Sequence, residues 1–299
     1  MEFLLEEILF NEIIYKLEIR DIFTLCQINN KFYNLNDNIW KLLYYKHFFN
    51  TNMDIKKSYK YKFKLCVILK NFNIKFKLNK PYICDIYRTD MWHLDRRCLK
   101  KIPIELCYLI NTTELAMNNN NITIMRNELF DLINLKYLYM LHNEINIIPH
   151  NICKLKELKY LYLGNNQIKI IPEEIKDLIN LECIDMSNNL IEIIPPIIYK
   201  LKHLKHLSLP NNKIKEIPYE LGELQIIRGI SLNNNHIEVI PFELTNLKML
   251  SSLKLNKNNL PNVYKCNKKS YDFNDRSEVW DLFIVLNKIN ETKIILDNL

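Results

Sequence analysis

Leu158-Lys159-Tyr160-Leu161-Tyr162-Leu163-Gly164-Asn165-Asn166-Gln167-Ile168-Lys169-Ile170-Ile171-Pro172 decides how this chain is read. Leu161 and Leu163 alternate with Tyr160 and Tyr162, the period of a strand with one face buried. Asn166 follows, then Ile168, Ile171 and a proline. The frame L-x-x-L-x-L-x-x-N-x-I-x-x-I-P returns at Leu204, Leu207, Leu209, Asn212, Ile214, Ile217 and Pro218. Its asparagine stands at Asn120, Asn143, Asn166, Asn189, Asn212, Asn235 and Asn258, every 23 residues without an insertion. A fixed period of this length marks stacked repeats and outranks any local assignment.

One period before Asn120 stands a weaker unit. Trp92, Leu94, Leu99, Ile102 and Pro103 keep its apolar slots, but Arg97 fills the asparagine slot. An atypical unit is expected where an array begins. Over roughly residues 89–260 the chain resembles the leucine-rich-repeat family. The resemblance implies an α/β solenoid, a horseshoe with a parallel sheet on its concave side. The strand leucines point inward, and the asparagine side chain satisfies backbone groups left unpaired where the chain leaves the strand. The Ile-Pro pair fits an extended return, because proline lacks an N–H and disfavours helix in the residue before it. These residues build the array and say nothing about a ligand.

Binding, if this module does it, falls to positions flanking the strand leucines. These are Lys136, Tyr137, Tyr139, Leu141 and His142 in one rung, and Lys159, Tyr160, Tyr162 and Asn165 in the next. Glu182, Cys183, Asp185, Ser187 and Asn188 follow, then Lys205, His206, Ser208 and Asn211, then Arg228, Ser231 and Asn233. Four tyrosines on rungs about 4.8 Å apart make a contiguous aromatic patch. Tyrosine anchors interfaces because it buries area with little entropy loss. It also suits exposed strand positions for its own sake. The acidic Glu182 and Asp185, then the basic Lys205 and His206, lie beyond the patch. The target-binding candidates are therefore Tyr137, Tyr139, His142, Tyr160, Tyr162, Asp185, Lys205 and His206.

The 299 residues are 48% hydrophobic and 25% charged, enough to bury a core. Three glycines, Gly164, Gly222 and Gly229, cannot assemble a G-x-G-x-x-G or Walker A loop. Eight cysteines form no C-x-x-C pair, which reads as scattered reduced thiols with no metal site. His93, His142, His150, His203, His206 and His236 form no nucleophile–base motif with a neighbouring Cys or Ser. No enzyme activity and no cofactor are expected. The start of the chain lacks a basic n-region, and no run of about 18 apolar residues occurs, so neither secretion nor a membrane span is expected. The expected location is intracellular, cytoplasmic or nuclear.

The net charge of +7 is uneven. Residues 1–50 carry 5 Lys/Arg against 7 Asp/Glu and residues 51–111 carry 14 against 5, while 112–260 and 261–299 balance at 16 and 16 and at 6 and 6. Domains are accordingly expected at 1–50, 51–88, 89–260 and 261–299. The spacing of residues 4–48 predicts three short helices. Leu5, Leu9, Ile13 and Leu17 form one stripe. Asp21 caps a second helix carrying Ile22, Leu25, Ile28 and Phe32, and Asp37 caps a third carrying Ile39, Trp40 and Leu43.

At Leu4-Leu5-Glu6-Glu7-Ile8-Leu9, Leu17, Asp21-Ile22, Leu25, Ile28-Asn29-Asn30-Lys31-Phe32 and Trp40 this segment resembles an F-box. That resemblance implies docking on a Skp-family adaptor and its cullin complex through Leu4, Leu5, Ile8, Leu9, Leu17, Leu25 and Ile28. A plain helical cap over the end of the solenoid is the other reading. The connector, with Lys56-Lys57, Tyr59-Lys60-Tyr61-Lys62-Phe63-Lys64 and Lys75-Phe76-Lys77, interleaves bases with aromatics. Nothing else that a nucleic-acid module requires accompanies it, so it reads as the solvated face of a helix or strand. In the tail, Val279, Trp280, Leu282, Phe283, Val285, Leu286 and Ile289 predict an amphipathic helix closing the repeat core. Together these features predict a substrate-recognition subunit of a cullin-type ubiquitin ligase. The alternative is a non-enzymatic scaffold, for example one that binds a small GTPase.

Overall fold

A computed structural model describes residues 44, 59–76, 86, 88–265 and 272–297. The F-box-like segment, with Leu4, Leu5, Ile8, Leu9, Leu17, Leu25 and Ile28, lies outside the described residues. The chain divides into two compact units, Met1–Thr89 and Asp90–Leu299. In the first, helix α1 spans Tyr59–Phe76. Leu65, Leu69, Phe72 and Phe76 lie on one helical stripe and are buried, with the Phe72 and Phe76 rings 4.8 Å apart. Lys64, Lys70 and Lys75 are exposed, so these bases of the connector face water.

The second unit is the repeat array. Strands β1 (Met91–His93), β2 (Glu114–Ala116), β3 (Tyr137–Tyr139), β4 (Tyr160–Tyr162), β5 (Cys183–Asp185), β6 (His206–Ser208), β7 (Gly229–Ser231) and β8 (Ser252–Lys254) pair in chain order, all parallel. Each pairs with the next at an offset of 23 residues, so Leu115, Leu138, Leu161 and Ile184 stand in one buried row. The weak unit around Trp92 and Leu94 is a full rung: both side chains are buried and β1 pairs with β2.

The ladder asparagines bind the rungs together. Nδ2 of Asn166 donates to the carbonyl of Leu163 in its own rung at 3.0 Å and to that of Met140 one rung back at 2.9 Å. Its Oδ1 accepts the Ile145 N–H at 3.0 Å. Asn143, Asn189, Asn212 and Asn235 repeat the pattern and are themselves buried. Where Arg97 replaces the asparagine, Asn120 Oδ1 accepts both the Arg97 and Leu99 N–H groups at 3.0 Å. One rung's asparagine thus completes its predecessor.

Behind the sheet the chain returns through 3₁₀ turns of five residues, such as Glu173–Asp177 and Pro196–Lys200. These replace the longer helices an α/β solenoid would carry, since a 23-residue repeat leaves only one turn's length for the return. Pro149, Pro172, Pro195, Pro218 and Pro241 precede the turns with φ from −64° to −69° and ψ from 131° to 151°. That is the extended geometry proline imposes before a helical turn.

At the far end β9 (Asp272–Phe273) pairs antiparallel with β8. Asp272 Oδ1 accepts the Leu255 and Asn256 N–H groups at 2.9 and 3.0 Å, satisfying backbone that no further rung can reach. Helix α2 (Arg276–Asp297) opens with a capping box: the Glu278 N–H donates to Asp275 at 2.9 Å and the Asn274 N–H to Glu278 at 2.7 Å. Val279, Leu282, Phe283 and Leu286 are buried, and α2 packs against β8 and the last 3₁₀ turns. Trp280, grouped with these by sequence, is half exposed.

Candidate functional site

The outward residues of the sheet fall into two columns fixed by the strand register. One runs Glu114, Tyr137, Tyr160, Cys183, His206; the other Ala116, Tyr139, Tyr162, Asp185, Ser208. Alternation turns both tyrosines of each strand to the side opposite the buried Leu138 or Leu161. The rings of Tyr137 and Tyr160 stack at 5.0 Å and 12°, and those of Tyr139 and Tyr162 at 5.0 Å and 9°. Tyr160 and Tyr162 lie 6.3 Å apart within their strand, so the four rings form one half-buried surface. At Gly164, two residues past Tyr162, a Cβ would come within 2.7 Å of Ser187 Oγ and 3.3 Å of the Ser187 carbonyl oxygen, so adjacent rungs pass close there.

Polar groups frame this surface. Burial raises the pKa of the Tyr139 and Tyr162 phenols, and for Tyr162 a hydrogen bond with the Cys183 side chain adds to it. Burial likewise raises the Cys183 thiol, so this edge of the patch is uncharged. On the next rung Glu182 is held by Lys205 at 2.6 Å and Lys159 at 3.7 Å, and its carboxyl sits below the usual range through the hydrogen bond from Lys205. Lys205 therefore presents a paired charge. Asp185 turns one oxygen to the Ser187 N–H at 2.9 Å and helps shape its own turn. At the other end Glu114 meets His93 at 3.3 Å, a pair that sequence spacing did not single out.

Some positions assigned to the binding face have a conformational role. His142, Asn165, Asn188 and Asn211 have φ between 52° and 57°. They occupy the left-handed turn before each ladder asparagine, the conformation asparagine tolerates better than most residues. His142 is exposed at the margin of the face, and His206 is exposed on the column beyond Cys183. A groove of about 570 Å³ opens elsewhere, lined by Lys215, His236, Val239 and Asn259 among others. Among the described residues, no cluster of His, Cys, Asp or Glu could hold a metal ion, and no helix is long and apolar enough to cross a membrane.

Comparison with known proteins agrees with this geometry. A family model described as "Leucine Rich repeats (2 copies)" matches residues 156–199 and 179–222, and one described as "Leucine rich repeat" matches residues 110–168. None of the curated proteins matches the chain. Among solved structures, a leucine-rich-repeat protein of Leptospira interrogans is 36% identical with a TM-score of 0.54, over 55% of this chain and 42% of that one. The leucine-rich-repeat ectodomain of a plant membrane receptor kinase from Arabidopsis thaliana, solved in complex with Casparian strip integrity factor 2, is 30% identical with a TM-score of 0.50. That match covers 53% of this chain and 20% of the receptor, so the chain spans less than half of either relative. An internalin of Listeria monocytogenes, 23% identical with a TM-score of 0.58 over 68% of this chain and 89% of that one, shares the fold. Residues 110–222, the reach of the matched family models, are leucine-rich repeats.

Proposed function

We propose that this chain is a non-enzymatic recognition subunit whose sheet face holds a protein target. The observation that carries this is the tyrosine quartet, two stacked pairs on adjacent rungs with no charge of their own. A rigid aromatic surface bordered by Glu114, Asp185 and His206 suits a protein surface: the rings supply buried area and the rim supplies orientation. The Arabidopsis ectodomain, solved in complex with a partner, supports a binding role for a leucine-rich-repeat array. Replacing both Tyr139 and Tyr162 with alanine should weaken target capture by about 30-fold or more. The fold should survive, because the rings are half exposed. Unchanged capture by a folded double variant would sink the reading.

In its finer form, this reading makes the chain the target-recruiting subunit of a cullin-type ubiquitin ligase acting inside the cell. Residues 1–50 would dock a Skp-family adaptor through Leu4, Leu5, Ile8, Leu9, Leu17, Leu25 and Ile28. Residues 51–88 would connect them to the array at 89–260, with 261–299 closing it. Ubiquitin transfer would belong to the other subunits, and this chain would contribute proximity. What supports this is the residue pattern from Leu4 to Trp40 alone, because the matched family models begin at residue 110. Adaptor capture by the full chain, lost on Ile8→Asp, is the expected result. No adaptor binding by the unaltered chain would leave a scaffold without a ubiquitin role, such as a small-GTPase binder.

A further inference from the structure

Between the two inward apolar residues of each return, the chain turns one side chain outward. Ile168 and Ile171 are buried while Ile170 is 73% exposed. The same slot holds Ile124, Ile147 and Ile193 in neighbouring rungs, exposed by 65%, 66% and 70%. The N–H groups of Glu144, Gln167 and Leu190 donate to Ile122, Ile145 and Ile168 at 2.8–2.9 Å, just ahead of the slot. The four side chains therefore stand in register as an aliphatic ridge, on the return and not on the sheet face. Folding does not require isoleucine there, since the next rung places an exposed Glu216 in the slot and the first rung an exposed Lys101. Consecutive apolar side chains held in water mark an interaction surface. Among the described residues, neither Lys101 nor Glu216 enters an ion pair.

We propose that this ridge is the seat of a symmetric dimer, with a second copy of the chain lying antiparallel across it. In a two-fold interface each residue i meets j while j meets i. An axis between the rungs of Ile147 and Ile170 sets Ile147 on Ile170 and Ile124 on Ile193 of the other copy. The same axis brings Lys101 to Glu216, so the register that buries every isoleucine also pairs the two flanking charges. A shift of one rung in either direction sets an isoleucine against Lys101 or Glu216. In the adjacent exposed column, Thr123 meets Glu192 and Asn146 meets Lys169, pairs that can hydrogen-bond. One like-charged pair, Lys100 with Lys215, falls at the rim beside the Lys101–Glu216 pair. Four isoleucines bury less than the roughly 800 Å² per partner of a standard interface, so the dimer is a concentration-dependent one.

Sedimentation velocity on the full chain over a concentration series tests this. The unaltered chain should shift from monomer to dimer. Ile170→Asp, at a position already in water, should weaken the dimer by at least about 10-fold, by burying an unpaired charge, while leaving circular dichroism unchanged. Lys101→Glu should weaken it about 2- to 5-fold, and adding Glu216→Lys should restore it. The double alanine variant of Tyr139 and Tyr162 should dimerise as the unaltered chain does, which separates this interface from the target-binding face. A chain monomeric up to about 1 mM would overturn the proposal, leaving the ridge to a different partner. So would a dimer indifferent to Ile170→Asp, or a charge swap that fails to restore what Lys101→Glu removes.

Discussion

Adjacent asparagines in this chain do different jobs. Asn189 is buried and spends its amide on the carbonyls of Leu163 and Met186 and its oxygen on the Ile168 N–H, at 2.9–3.1 Å. Asn188 beside it is exposed with φ 52°. Asn189→Ala orphans the buried Ile168 N–H and removes one of two amide donors from the Leu163 and Met186 carbonyls, which keep Asn166 and Asn212, and should cost about 2 kcal/mol. Asn188→Ala should cost less, about 0.5 kcal/mol, because both residues carry a Cβ and alanine lacks only the short polar side chain that makes the left-handed region tolerable to asparagine. Urea unfolding of the two variants side by side checks the distinction. By the same logic Lys257, with φ 58°, gains about 1 kcal/mol on replacement by glycine, read as a higher urea midpoint. The 23-residue period picked out Asn189 as the bridging residue, while only the backbone angles gave Asn188, placed by sequence on the binding face, its turn role.

Within the sheet, burial and the Cys183 hydrogen bond raise the Tyr162 pKa above its ordinary value of about 10. The folded chain therefore holds the phenolic proton more tightly than the unfolded chain does. The resulting stability is present below the unfolded pKa and is lost as pH rises through the interval above it. Alkaline titration of stability should show a decline beginning near pH 10, and Tyr162→Phe should reduce that decline relative to the unaltered chain. An identical decline in both would show that the phenol does not contribute. Strand pairing was legible from the 23-residue period, because a parallel register with no insertions permits one alignment of Tyr137 with Tyr160. The ion pairing of Glu182 with Lys205 was not, since side chains one rung apart are 23 residues apart in sequence. The sequence suggested an acidic rung followed by a basic one, and the structure joins them into a salt-linked border.

On the scale of the molecule, each rung touches only its neighbours, so damage should stay near where it is made. Leu282 is fully buried where α2 packs against the last rungs. Leu282→Asp should detach that cap and expose the end of the core. Amide hydrogen exchange should then accelerate in β7 and β8 while β3 and β4 keep their protection. Uniform acceleration from β2 to β8 would show instead that the array unfolds as one cooperative block. The ridge of Ile124, Ile147, Ile170 and Ile193 belongs to this scale too, because no single rung shows that its outward isoleucine has neighbours.

Spacing along the chain dictates the array: the period, the buried leucines, the asparagine ladder and the proline-led returns all follow from it. They do so because a solenoid's contacts join equivalent positions of adjacent units, and a repeat writes such contacts as periodicity. Residues 4–40 carry a pattern of their own, and the proposed docking on an adaptor rests on that pattern. Tertiary structure decided the rest: which asparagine holds the left-handed turn, which lysine is neutralised, how the tyrosine rings stack, and how far Ile170 stands in water. Those outcomes depend on torsion angles and on distances between rungs, and neither quantity is encoded in the order of residue types along one repeat.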